Sequence, residues 1–144
     1  GSTTTCGCTW RIKGEGNPLF KGYKEISKAY WTNIVLGAKQ RNIEFDITIE
    51  YTWKLFEQQN RKCKLSNLDL SFVSSYEMKS GIKRGTASLD RIDSSKGYVE
   101  GNVQWVHKDV NKMKQSFTQE RLIELCSRIF NQWQQSGMEE IKKL

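Results

Sequence analysis

No stretch of this chain approaches the roughly 20 consecutive apolar residues that a membrane-spanning helix needs, and its first residues carry none of the pattern of a signal peptide. Neither a membrane-embedded nor an exported protein is expected, and the reading is a soluble, intracellular one. The 4 cysteines among 144 residues do not make a disulfide framework. Cys63 falls in a turn or short strand and Cys126 on the apolar stripe of a helix, where a free thiol serves packing. Internal repeats and low-complexity tracts are absent too. The length suits one domain with a modest core. Histidine is scarcest among the residues that do chemistry: His107 stands alone, so any step that needs an imidazole falls to it.

Charge is what the chain has in excess. Lys and Arg number 23 against 16 Asp and Glu, a net charge of +7, which favours a polyanionic partner through counterion release. The surplus gathers at Lys79, Lys83 and Arg84, just before the stretch Ser88 to Lys114, and again at Lys108, Lys112 and Lys114 at the end of that stretch.

That stretch reads as strand, loop, strand, helix. Thr86 to Ile92 and Asn102 to His107 alternate apolar and polar side chains, around Ala87 and Leu89 in the first and Val103 and Trp105 in the second. Between them Asp93-Ser94-Ser95-Lys96-Gly97 is a run of turn formers, and Gly97 and Gly101 are open to backbone angles closed to other residues. After Val106 the apolar positions become Val110, Met113 and Phe117, a helical spacing. A carboxylate on the first strand, Asp90, and an amide on the helix, Asn111, are then expected to converge on one cation. Oxygen-only ligands with open positions suit a hard ion such as Mg²⁺, or Mn²⁺ in its place, and suit zinc poorly.

With Asp90-Arg91, Asn102 and Asn111 at these spacings, framed by GNVQWV and NKMK, the segment resembles the HNH, or ββα-metal, endonuclease family, in the branch of phage-borne and intron-borne homing endonucleases. About thirty residues carry the resemblance strongly, and NPLFKGYKEISKAYWTNIVLGAKQRN and FEQQNRKCKLSN extend it. It implies an α+β fold with a ββα-metal core at about 86–117 inside a nuclease domain of 24–136, flanked by added helices. It implies metal-dependent hydrolysis of double-stranded DNA, in the cytoplasm of a bacterial host if the gene is phage-borne. Relatives of this kind carry a four-cysteine zinc module ahead of NPLFKGY. Cys6-Gly7-Cys8 looks like its trailing half, so residues 1–23 are expected to be an arm with a truncated, incomplete zinc site, with Gly1-Ser2 a tag remnant and 137–144 a tail.

One position departs from the pattern. Where the family usually has a histidine to activate water, this chain has Arg91, as in a small Asp-Arg branch of that family; arginine stays protonated and cannot act as a base. Its guanidinium can instead hold a phosphate through paired hydrogen bonds and stabilise charge during cleavage. The proton acceptor must lie elsewhere. His107 is the first candidate, its alternative being a polar contact to phosphate or solvent; Tyr98 is the second, with Tyr51 and Tyr30 more remote. Asn102 is expected to tie the loop between the strands, and Lys83, Arg84, Arg91, Lys108, Lys112 and Lys114 to contact DNA. The rivals to a nuclease are a silent DNA-binding module and an RNA-directed nuclease or binder. A monomer would nick, and a homodimer could cut both strands.

Elsewhere, Glu25 to Arg41 is expected to form a helix. A second starts at the cap Thr48, with Ile49, Trp53 and Phe56 on one side. Lys62 to Phe72 is a candidate hairpin. The last helix starts at Thr118, and its stripe of Leu122, Leu125, Cys126, Ile129, Phe130 and Trp133 is expected to brace the core.

Overall fold

The structure, a computed structural model, describes residues 21–73 and 85–137. The Cys6 and Cys8 pair, the arm up to Phe20, Lys79, Lys83, Arg84 and the tail from residue 138 lie outside those residues. Within them the chain mixes helices with small sheets, compatible with the α+β class. The order is β1 (Gly22–Tyr23), β2 (Ile26–Ser27), α1 (Lys28–Gln40), β3 (Phe45–Asp46), α2 (Ile49–Gln58), β4 (Ala87–Arg91), β5 (Tyr98–Val99), β6 (Val103–His107), α3 (Lys108–Lys114) and α4 (Gln119–Gln135).

The helices begin where polar caps satisfy their first free amides. Ser27 Oγ accepts from Tyr30 N–H, Thr48 Oγ1 from Tyr51 N–H and Thr118 Oγ1 from Arg121 N–H. Helix α1 buries Trp31, Val35 and Ala38, and α2 buries Ile49, Thr52, Trp53 and Phe56. Each set recurs at the three-to-four spacing that lines one helix face.

Strands β4 and β6 pair antiparallel, with Ala87 opposite His107, Leu89 opposite Trp105 and Asp90 opposite Gln104. Alternation gives the ladder two faces. On one, Leu89 and Trp105 join the core beneath α1 and α2. The Trp105 indole donates to Thr52 O at 2.6 Å, and its ring meets Phe56 and Phe72 edge to face. Gln59 clamps the strand to α2: its amide donates to Trp105 O and accepts from Trp105 N–H, so a side chain completes the backbone pairing. The other face, with Asp90 and Gln104, turns to α3 and α4.

Three expectations need correction. Strand β5 pairs parallel with β3, a contact between distant segments within what read as loop. On α3 only Val110 of the apolar stripe packs against the core: Met113 is 55% exposed, Phe117 just beyond the helix 45% and Lys114 0%, because the polar face of β4 is what α3 covers. Helix α4 does not brace the core along its length. Only Leu122 is buried, while Ile129, Phe130 and Trp133 are exposed, since no element among the described residues lies against its later turns.

Candidate functional site

Asn102 organises the loop between the paired strands. Its amide donates to Asp93 O and Gly97 O and accepts from Asp93 N–H, with all three distances between 2.9 and 3.1 Å. Within the loop the Ser95 hydroxyl and amide both donate to the Asp93 carboxylate and hold it below the usual carboxylate range. The glycines serve differently. Gly101 has a φ of +83°, the left-handed backbone that glycine takes without strain. Gly97 is needed for space instead, because a Cβ there would meet Glu44 O at 2.6 Å, where β5 docks on β3.

With the loop held, an open cleft of about 460 Å³ runs beside β4, lined by Arg41, Ser88, Arg91, Lys108, Asn111, Lys112, Gln115 and Ser116. Four of those side chains are cationic and none is acidic. Arg41 comes from the end of α1, far from the motif in sequence. Its Nε donates to Gly37 O and its Nη2 to the Tyr98 hydroxyl. Arg91 stacks over the Tyr98 ring, 5.5 Å from its centre. Arg91 Nη1 donates to Ser94 O and Lys96 O, leaving its Nε and Nη2 edge without a partner among the described residues. Two guanidinium groups therefore flank one tyrosine, and both reach the cleft.

Asp90 is elsewhere. Its carboxylate is 5% exposed, with Oδ1 accepting from Lys114 Nζ at 3.0 Å and Oδ2 from Gln104 Nε2 at 3.0 Å. Lys114 is fully buried and donates also to Arg91 O at 2.6 Å. Gln104 Nε2 reaches on to Gln119 Oε1 at the start of α4. Asn111, one turn before Lys114, donates to Ser88 Oγ at 2.8 Å, two residues before Asp90.

A divalent ion shared by Asp90 and Asn111 does not fit this arrangement. One carboxylate is on offer, it is buried, and an ammonium already stands against it. No three His, Cys, Asp or Glu side chains converge among the described residues. Mg²⁺ sheds water reluctantly and keeps several waters in its shell, for which a carboxylate this enclosed has no room. The open cleft has the wrong sign for a cation. Lys114 likewise does not belong with the DNA-contacting residues, because its charge is spent in the interior.

The proton-acceptor candidates separate. His107 caps α3: its Nδ1 accepts from Asp109 N–H at 3.2 Å, which in the neutral ring places the proton on Nε2. It stands opposite Ala87, on the ladder face away from Asp90, and four residues from the Val103 position opposite Arg91, about 13 Å at 3.3 Å per residue. The structure does not bring it to the cleft. Tyr98 is buried but touches the cleft through Arg41 and Arg91. Tyr51 uses its hydroxyl to accept from Gly101 N–H. The Tyr30 hydroxyl donates to Ala87 O, and burial, then the nearby Tyr98 phenol, push its pKa up, the opposite of what a base needs. The sequence reading missed Arg41, Gln104 and Ser88; only the alternation that sets Gln104 opposite Asp90 was visible beforehand.

No known protein family, no curated protein and no solved structure matches this chain.

Proposed function

We propose that the protein grips the phosphodiester backbone of double-stranded DNA in the cleft beside β4 and hydrolyses it, as an endonuclease of the ββα kind. The observation that carries this reading is the cleft itself: Arg41, Arg91, Lys108 and Lys112, with Ser88 and Asn111 and no carboxylate among the described residues that line it, beside the segment that carries Asp90-Arg91, Asn102 and Asn111 at the family's spacing. Each phosphodiester brings one negative charge. As a water oxygen bonds to phosphorus and the bond to a sugar oxygen breaks, charge builds on the non-bridging oxygens, where fixed cations stabilise it more than in the ground state. Arg91 is suited to this by its Nε and Nη2 edge, which has no partner among the described residues and matches two phosphate oxygens. Tyr98, whose oxygen accepts from Arg41, is the nearer candidate for the base; it takes the proton from water only as the phenolate, and the departing sugar oxygen is protonated from solvent.

A second reading, a DNA-binding module without cleavage, is favoured by the Asp90 carboxylate being tied up by Lys114 and Gln104. Supercoiled plasmid incubated with the protein separates the two. Nicked or linear product supports hydrolysis, whereas retention of the plasmid in a gel shift with no product supports the silent module. Absence of both would defeat the DNA reading, and competition with duplex RNA tests the choice of polymer.

A further inference from the structure

The Asp90 carboxylate sits where the family resemblance implies a divalent ion, and what faces it here is Lys114. We propose that the Lys114 ammonium is the resident cation of this site, filling the place of Mg²⁺ or Mn²⁺, so that Asp90 holds no metal. The ammonium lies 3.0 Å from Asp90 Oδ1 and 2.6 Å from Arg91 O, and the second carboxylate oxygen is bonded to Gln104. The two charges are balanced one to one, with both side chains buried. A divalent ion would have to displace the ammonium, strip most of its own water and leave Lys114 buried without its counter-ion.

The pair also has a positioning task. By holding the carbonyl of Arg91 on one side and Asp90 on the other, Lys114 pins the end of β4 from which the Arg91 guanidinium enters the cleft. The inference rests on the proposed function only for where the resemblance puts the ion. Its readout is metal binding, which can fail or succeed whatever the protein does to DNA.

The full chain is titrated with Mn²⁺ alone by calorimetry and by the electron paramagnetic resonance of the free ion, in the wild type and in Asp90→Asn. The expected result is that the two proteins give the same isotherm and the same free Mn²⁺, whether some Mn²⁺ binds elsewhere or none does. Mn²⁺ bound by the wild type and lost in Asp90→Asn would overturn the proposal. Should Asp90→Asn fail to fold, the double variant Asp90→Asn/Lys114→Met, which removes both charges together, takes its place in the same comparison with the same two outcomes.

Discussion

At the residue scale, Asp90 and Lys114 form the one ion pair with both partners buried among the described residues. Buried pairs of this kind add little to stability as pairs, yet removing one partner strands a charge at a cost of about 3–5 kcal/mol. Lys114→Met is therefore expected to destabilise the fold by that order in urea denaturation. Asp90→Asn/Lys114→Met should lie well short of the sum of the two single changes, and strict additivity would show that the residues do not interact. Tyr30 supplies a pH dependence. Its phenol ionises less readily folded than unfolded, so its contribution is fully present below about pH 10, the ordinary tyrosine range, and is lost as pH rises beyond it. Alkaline melting curves of Tyr30→Phe should fall less steeply with pH than those of the wild type; parallel curves would refute the assignment. That the helix carrying Asn111 folds back onto the strand carrying Asp90 and Arg91 was legible from the switch of spacing after Val106. Their partners were not, because Lys114 and Arg41 reach them through folding rather than through proximity along the chain.

At the scale of elements, the local signals were legible and the long-range ones were not. Thr48 and Thr118 announce α2 and α4 because a cap needs only its own next three residues. The pairing of β5 with β3 brings Tyr98 to Phe45, and two-residue strands carry no periodicity to detect. This junction predicts that Gly97→Ala destabilises the protein by about 1–3 kcal/mol, the range for forcing atoms into packed structure, since its Cβ would overlap the Glu44 backbone. A melting temperature unchanged from wild type would mean that the junction opens freely. Helix α4 offers a contrast within one stripe. Leu122→Ala should cost about 2–5 kcal/mol, as buried leucines do, whereas Ile129→Ala, at a residue 58% exposed, should stay within roughly 0.5 kcal/mol of wild type. Equal losses would show that the outer turns are covered after all.

For the whole molecule, the excess of positive charge becomes a site only where tertiary structure concentrates it. Arg41 arrives from α1 while Lys108 and Lys112 arrive from α3, so removing either group should weaken duplex DNA binding uniformly across sequences. Lys108→Ala/Lys112→Ala should lower the slope of log affinity against log salt by roughly 0.9 for each phosphate that is no longer neutralised. Arg91→Lys should weaken binding as well, since an ammonium cannot reproduce the paired hydrogen bonds of the fork. Fluorescence anisotropy over a salt series measures both, and slopes equal to wild type would put the interface elsewhere. No helix among the described residues is long and apolar enough to cross a membrane.

Taken alone, the sequence determined what depends on neighbours along the chain: the capped starts of α2 and α4, the alternation of β4 and β6, the turn-rich loop, and the positive charge. Only the tertiary structure decided which charges face water and which face each other. Two lysines on one short helix, Lys112 and Lys114, carry the same group and the same propensity. One lines an open cleft and the other is buried against a carboxylate, because a helix turned onto a strand presents a single face to it, and that strand carried Asp90.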